Sequence, residues 1–262
     1  MKLNIYQIDA FTDTVFKGNP ACVVPLEKWL PDEILLEIAK ENAVAETAFF
    51  IDKKNFIQLR WFTPEIEMDL CGHATLATAH CLKTIQNYPQ DKITFKTLSG
   101  ELTVLVENNL YTLNFPSRIP EDSELPDSLR KSLNIQPKKV LKSRDYVLVY
   151  DTEEEIKNIE INRTFFDQIN LNTGGVIVTA KGEECDFVSR FFTPQASILE
   201  DMVTGSAHCS LIPYWSKRLK KEKLVARQIS SRGGTLICQN NNKNVLISGK
   251  AVTYSIGSFW IQ

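Results

Sequence analysis

Glu46 is the residue in this sequence best suited to act as a base. It lies among alanine and phenylalanine side chains in the segment AETAFF, residues 45–50. A base that takes a proton from carbon has to work near neutral pH, and apolar surroundings raise the pKa of a carboxyl group toward that range. Because most glutamates are exposed, the position also fits a solvated residue between a helix and a strand.

His73 and Asp201 are further candidates for catalysis. An imidazole has a reference pKa of ~6.5, so His73 can donate a hydrogen bond to a substrate or pass a proton near neutral pH. A histidine there also fits a helix cap. Asp201 follows Glu200 ahead of a predicted helix, where it can orient a substrate or His73 or simply complement the helix dipole.

Gly72 and Gly205 each lie where a loop enters a predicted helix. Free backbone N–H groups and the positive end of the helix dipole can bind an anion there, and glycine leaves room for it. A single glycine of this kind is usually an ordinary cap. Two at equivalent places predict a site for a carboxylate, formed by the backbone of Gly72, His73, Gly205 and Ser206.

The chain contains an internal repeat. RWFTP at residues 60–64 returns as RFFTP 130 residues later, and GHA at 72–74 corresponds to GSA at 205–207 with three extra residues between. The second offset then holds through LSGELTVL at 98–105 and SRGGTLIC at 231–238. The repeat predicts two similar halves related by a pseudo-twofold axis, with a substrate cleft between them.

Each half is predicted to be α+β with a mostly antiparallel sheet. A β-rich strand, a Pro-containing loop, a helix and alternating strands follow in the same order. The helices are predicted over residues 72–86 and 205–219. The polar, Pro-rich stretch 116–127 separates the halves, residues 1–117 and 118–262. The sequence leaves open whether the last strand, residues 253–261, packs on the second half or returns to the first.

Composition excludes several classes of function. The 262 residues are 43% apolar, without a run near the roughly 18 residues of a membrane span. Thirty basic and 32 acidic side chains nearly cancel, so nucleic acid is an unexpected partner. Six scattered cysteines predict free thiols. The first residues lack a secretory signal pattern, so a cytoplasmic location is expected.

Two other kinds of site are weaker interpretations. Cys71, His73, His80 and Cys81 could supply zinc ligands, but their spacing is not that of a structural zinc site and the second half does not repeat them. His73, Asp201 and Ser206 could form a hydrolase triad, but the serine is not in a G-x-S-x-G turn. We therefore expect no metal and no serine nucleophile.

Five motifs are spread over essentially the whole chain: FKGNPACVV at 16–24, AETAFF at 45–50, RWFTP at 60–64, DLCGHATLA at 69–77 and EDMVTGSAH at 200–208. Together, and in this order, they resemble the PhzF-like family of isomerases, known from phenazine biosynthesis. The resemblance implies the diaminopimelate-epimerase-like fold, in which each half wraps a sheet around a central helix. It also implies a homodimer.

The resemblance further implies a cofactor-independent isomerase acting on a small anionic substrate. In the phenazine-pathway member a glutamate moves a proton within dihydro-hydroxyanthranilate, and Glu46 matches that glutamate. Family residues lining the substrate site fall on His73, Asp201 and Ser206. Ala45 and Met202 depart from the serine and proline that are common in the family, so the substrate stays open.

Two alternatives are kept. Racemases and epimerases of this fold, which act on amino or hydroxy acids, use one cysteine from each half as opposed bases. Cys71 occupies the first of these positions, but its equivalent is Thr204, which disfavours that chemistry. The other alternative is a binding or scaffold protein that keeps the fold without turnover.

Overall fold

The computed structural model describes residues 1–262, which divide into two compact units. The first unit comprises Met1–Phe115 and Ile247–Gln262, and the second comprises Pro116–Leu246. The change from the first unit to the second therefore falls at the start of the polar, Pro-rich stretch. The chain returns to the first unit for its last residues.

The secondary structure up to residue 116 consists of eight strands and two helices. The strands are β1 Lys2–Ala10, β2 Asn19–Pro25, β3 Glu46–Asp52, β4 Ile57–Phe62, β5 Glu67–Met68, β6 Lys92–Thr97, β7 Gly100–Glu107 and β8 Leu110–Pro116. The helices are α1 Asp32–Asn42 and α2 Gly72–Thr84.

The rest of the chain repeats this kind of structure. Its strands are β9 Glu121–Asp122, β10 Lys139–Lys142, β11 Tyr146–Val149, β12 Val176–Lys181, β13 Phe187–Phe192, β14 Glu200–Asp201, β15 Lys223–Gln228, β16 Gly234–Asn241, β17 Asn244–Gly249 and β18 Ala251–Trp260. Its helices are α3 Asp127–Ser132, α4 Glu153–Lys157, α5 Arg163–Phe166, the 3-10 turn Gly205–Ala207 and α6 His208–Leu219.

Strand pairing follows the same pattern in both units. In the first unit β2 pairs parallel with β3 and β4 pairs parallel with β6, while the pairs β1–β18, β1–β2, β3–β4, β4–β5, β6–β7 and β7–β8 are antiparallel. In the second unit the parallel pairs are β11 with β12 and β13 with β15, again among antiparallel neighbours. These pairings confirm the predicted α+β fold with mostly antiparallel sheets.

One buried helix lies at the centre of each unit. Every residue of α2 from Gly72 to Leu82 is buried, and the helix packs against β1, β2, β3 and β18. Its many alanines and threonines keep the helix narrow enough for strands to surround it. In the second unit α6 packs against β15 and β16 and buries Trp215 completely.

A pair of arginine–glutamate contacts shows the repeat in three dimensions. Arg60 on β4 donates two hydrogen bonds to Glu67 on β5, both 2.6 Å long. Arg190 on β13 donates two to Glu200 on β14, of 2.7 and 2.8 Å. Each guanidinium also lies over the ring of a phenylalanine two residues further along its strand. The three extra residues of the second half therefore lie between Arg190 and Glu200.

The last strand returns to the first unit, which answers the question that the sequence left open. β18 runs antiparallel to β1 along its whole length, from Lys2 opposite Trp260 to Ala10 opposite Ala251. No helix in the structure is both long and apolar enough to cross a membrane.

Candidate functional site

Glu46 and His73 are brought together in the first unit. Glu46 is the first residue of β3, and His73 is the second residue of α2. Glu46 Oε2 lies 3.0 Å from His73 Nε2, with 14% of the glutamate side chain and 4% of the histidine side chain exposed. Both atoms are buried, and neither makes a hydrogen bond of normal geometry. The pair is therefore close enough to exchange a proton and retains hydrogen-bonding capacity.

The pKa of His73 is raised above its ordinary value. Burial alone would lower it, but the nearby Cys71 and Glu46 together outweigh burial. Burial raises the pKa of the Cys71 thiol to about 11, so this group is uncharged at neutral pH. A negative charge on Glu46 adds to the effect of Cys71, because it stabilises the protonated imidazole. The structure supports a carboxylate paired with a histidine that readily holds a proton.

Asn19 contacts the other side of the His73 ring. Its Nδ2 lies 3.1 Å from His73 Nδ1, and the residue is completely buried at the start of β2. Gly18 holds this turn with a φ of +66°, and a Cβ there would collide with the carbonyl oxygen of Ala10. A side-chain amide presents either a donor or an acceptor when it rotates, so Asn19 suits His73 in both protonation states.

The start of α2, where an anion site is predicted, has no capping side chain. The helix begins at Gly72, as predicted, and no acidic residue lies in its first turn. The first N–H groups of the helix, next to Glu46 and His73, therefore have no side-chain acceptor that would compete with a carboxylate.

Asp201 lies in the second unit and is held by its neighbours. Thr204 Oγ1 donates a 2.6 Å hydrogen bond to Asp201 Oδ2. The buried Gln228 donates through Nε2 to the Asp201 carbonyl at 2.7 Å and accepts at Oε1 from the Thr204 N–H at 2.8 Å. Thr204, which stands where a second catalytic cysteine would be, thus fixes the orientation of Asp201.

Sequence reasoning did not identify Gln228, although a signal was present. Along β15 the inward positions alternate as Leu224, Ala226 and Gln228, and all three are buried. A polar residue in an inward series requires hydrogen-bond partners, and here those partners belong to the Asp201–Thr204 turn.

Ser206 is held by a cation. Arg144 Nη2 donates to Ser206 Oγ at 3.1 Å and to Asp145 Oδ2 at 3.0 Å. The adjacent Gly205 is buried and begins the 3-10 turn that leads into α6. Because Arg144 is the partner of Ser206 within the unit, the geometry gives no support to a serine nucleophile activated by a base.

Strand register shows which residues correspond in the two units. Across the first sheet Cys22 pairs with Thr47, and Thr47 pairs with Phe62. Across the second, Tyr146 pairs with Val176, and Val176 pairs with Phe192. Thr47 on β3 therefore corresponds to Val176 on β12. The residues just before them, Glu46 and Gly175, correspond to each other in the same way.

Gly175 cannot carry a base of its own. A Cβ there would collide with the ring of Phe191 and approach the carbonyl oxygen of Phe192 to 2.7 Å. The same register places Ser143 and Arg144, which lead into β11, at the positions of Asn19 and Pro20. Only the first unit therefore has the glutamate–histidine pair, whereas the second has a cation beside its helix start.

The four residues suggested as zinc ligands do not form one group. His80 contacts the hydroxyls of Tyr111 and Thr253, at 3.1 and 3.0 Å. Glu46, Cys71 and His73 instead place three ligand atoms within 4.8 Å of one another. This is the set of residues in the first unit that could hold a metal ion, and it coincides with the glutamate–histidine pair.

Comparison with known proteins identifies relatives over the full length of the chain. The family described as PhzC-PhzF, phenazine biosynthesis-like protein, matches residues 8–257. A protein of Pseudomonas aeruginosa named an uncharacterized isomerase is 46% identical over 258 residues, which cover 98% of this chain and 99% of that protein.

Solved structures agree with the observed fold. A phenazine biosynthesis protein of the PhzF family from Enterococcus faecalis superposes with a TM-score of 0.95 at 42% identity, covering 100% of both chains. A hydroxyproline epimerase from Agrobacterium vitis has a TM-score of 0.63 at 8% identity, covering 98% of this chain and 92% of that one. The second likeness shows a shared fold alone.

Proposed function

The chain belongs to the PhzC-PhzF family, and on this basis we propose that it is an isomerase that moves a proton within a small carboxylate-bearing metabolite. The names of its relatives support an isomerase. The main observation in favour of proton transfer is that Glu46 lies 3.0 Å from His73, beside a helix start without a side-chain cap.

In this proposal Glu46 takes a proton from a carbon of the substrate. Its carboxylate lies in a mostly buried position, where fewer water molecules compete with the substrate for it. His73 then donates to, or receives a proton from, the reacting group, which its raised pKa favours. Asn19 holds the imidazole ring in place through Nδ1.

The substrate carboxylate is proposed to bind backbone N–H groups at Gly72 and His73. The N-terminus of α2 attracts negative charge, and its first turn contains no acidic side chain that would compete with the substrate. In the second unit, Gly205 and Ser206 are the proposed carboxylate contacts. Asp201 is the proposed orienting group there, because Thr204 and Gln228 fix its position.

No cofactor is required in this scheme. The raised pKa of His73 and the adjoining carboxylate supply a proton donor and a proton acceptor within one unit. Abstraction and return of a proton need no change of oxidation state, so acid and base groups are sufficient in principle.

The test is proton exchange at carbon. Candidate substrates, beginning with dihydro-hydroxyanthranilate and small amino and hydroxy acids, are incubated with the protein in D₂O and followed by proton NMR. We expect isomerisation or loss of a C–H signal with the wild type and not with Glu46→Gln. Glu67→Gln is the matched control, since that glutamate is also the first residue of a strand but pairs with Arg60.

Saturable binding of a substrate candidate without exchange by the wild-type protein would contradict the proposed reaction for that compound. Equal exchange by wild type and Glu46→Gln would show that another group is the base.

A further inference from the structure

Arg118 in the second unit is a cation without a protein partner. No carboxylate pairs with its side chain, and its Nη1 is buried without a hydrogen bond. A buried guanidinium N–H that lacks an acceptor loses its hydrogen bond to water without replacement, so such groups are uncommon unless something else satisfies them. The position therefore calls for an acceptor that is not part of the chain.

A proline explains how Arg118 is held near α6. Pro213 lies inside α6 and has no N–H to donate to the carbonyl of Cys209 four residues earlier. The Arg118 N–H donates to that free carbonyl at 2.9 Å. The equivalent of Pro213 in the first unit is His80, which does have an N–H. The anchoring of Arg118 is thus specific to the second unit.

Arg144 lies at the same end of α6. It contacts Ser206, which is one turn before Cys209, and 23% of its side chain is exposed. Ser143 Oγ lies 2.8 Å from Ser210 Oγ and fixes the segment that carries Arg144. Burial raises the pKa of the Cys209 thiol to about 11, while the charges of Arg118 and Arg144 both act to lower it. The backbone of Arg118 and the guanidinium group of Arg144 therefore both lie at the N-terminal end of α6.

Asp145 neutralises only one of these two cations. Its carboxylate is completely buried and accepts hydrogen bonds from Arg144 and from the Gly175 N–H. The cluster of Arg118, Arg144 and Asp145 consequently retains a net positive charge beside an N-terminal helix turn. Guanidinium groups bind carboxylate and phosphate oxygens through paired hydrogen bonds.

We propose that Arg118 and Arg144 form a binding site for an oxyanion, the carboxylate or phosphate group of a small ligand. This Arg118–Arg144 site lies within the second unit. It extends the proposed function, because it adds a cationic contact to the backbone contacts at Gly205 and Ser206. It does not depend on turnover, so it can be tested even if the proposed reaction is wrong.

The test is a titration of the full-length protein by isothermal calorimetry at low ionic strength. Inorganic phosphate and malonate are the two probes, and they distinguish a phosphate ligand from a carboxylate ligand. We expect saturable binding of at least one probe, weakened about tenfold or more in Arg118→Gln, since one charged, bidentate contact is lost. Arg130→Gln, which removes an exposed arginine of α3, is the matched control and should bind like the wild type.

A second variant tests Arg144 without leaving a buried charge unpaired. Arg144→Gln combined with Asp145→Asn keeps an acceptor for the Gly175 N–H and keeps the net charge unchanged. We expect it to weaken binding of the same probe to a similar degree, with thermal unfolding confirming a folded protein. Absence of saturable binding of both probes, or equal affinity of wild type and Arg118→Gln, would overturn the proposal.

Glu46→Gln separates this proposal from the proposed reaction. If the Arg118–Arg144 site exists, Glu46→Gln should bind the probe with wild-type affinity. Loss of exchange with retained binding would support both proposals. If Glu46→Gln retains both exchange at carbon and binding of the probe, the Arg118–Arg144 site is supported and Glu46 is not the base.

Discussion

Glu46 Oε2 lies 3.0 Å from His73 Nε2, while the residue that corresponds to Glu46 in the second unit is Gly175. The two copies of the repeat therefore carry different functional groups. One unit holds a carboxylate–imidazole pair, and the other holds arginines and a fixed aspartate at the equivalent helix start. This division suits a reaction in which proton transfer and the binding of negative charge are carried out by different groups.

The first prediction concerns His73. His73→Gln keeps an amide that can hydrogen-bond but removes the group that carries a proton. We expect the rate of exchange at carbon to fall about 10²–10⁴-fold, the usual contribution of a general acid or base. Proton NMR in D₂O measures the rate. His80→Gln, a substitution on the same helix, is the control, and a decrease of less than threefold in His73→Gln would show that its imidazole is not needed.

The second prediction concerns Asn19. Asn19→Asp would place a carboxylate next to His73 Nδ1, which stabilises the imidazolium and raises the pKa of His73 further. We expect the limb of the pH–rate profile that belongs to His73 to move to higher pH by about one unit. Asn19→Ala should slow exchange without that upward shift. Profiles that coincide for wild type and Asn19→Asp would mean that Asn19 has no influence on the ring.

The third prediction distinguishes the proposed base from a cysteine. The Cys71 thiol lies 3.6 Å from His73 Nδ1, but burial raises its pKa to about 11, so the thiolate is scarce at neutral pH. Cys71→Ala should therefore retain the exchange rate within about threefold, because general-base effects are far larger. A drop of a hundredfold, together with inactivation of the wild type by iodoacetamide, would instead identify Cys71 as a base.

Local sequence patterns were sufficient to predict much of the fold. The helix predicted over residues 72–86 is α2, and it begins at Gly72 as expected. Residues 98–105 and 231–238, which the repeat predicts to be equivalent, overlap the strands β7, Gly100–Glu107, and β16, Gly234–Asn241. Apolar periodicity is a local property, and the repeat supplied a second copy of the same evidence. The 3-10 turn Gly205–Ala207 before α6 was not predicted, since its direct counterpart in the first unit is regular helix.

Contacts between distant segments could not be predicted in the same way. β18 is the last strand of the chain and pairs with β1, the first. No local pattern specifies the partner of a strand. The N–H of Arg118 reaches the carbonyl of Cys209 only because Pro213 frees it, which requires knowing the three-dimensional path of the chain. Glu46 and His73 were singled out from the sequence, but the involvement of Asn19 as a partner of the ring came from the structure.

The fourth prediction concerns the paired arginine and glutamate of the second unit. Arg190 and Glu200 are both mostly buried and form two parallel hydrogen bonds, and Glu200 adjoins Asp201. Glu200→Gln leaves the guanidinium without its charge partner and should lower the free energy of unfolding by about 1–3 kcal/mol. Urea denaturation measures this. Glu184→Gln, whose partner Arg227 is exposed, should cost less than about 1 kcal/mol, and equal effects would contradict the role of burial.

The fifth prediction concerns acid stability. Burial lowers the pKa of His80 and of His208 to about 4 in the folded protein. The unfolded chain binds protons at these residues with a pKa of ~6.5, so it takes up more protons than the folded state between these values. Their contribution to stability is therefore complete above pH ~6.5 and is lost as the pH falls toward about 4.

The size of this effect follows from the two pKa values. Each histidine should lower the free energy of unfolding by about 2 kcal/mol when the pH falls from 7 to 5. His80→Gln keeps groups that can bond the hydroxyls of Tyr111 and Thr253, and it should reduce the loss between these pH values by about that amount. Urea denaturation of wild type and variant at both pH values gives the comparison. If the two proteins lose the same stability, His80 must bind its proton equally well in the folded and unfolded states.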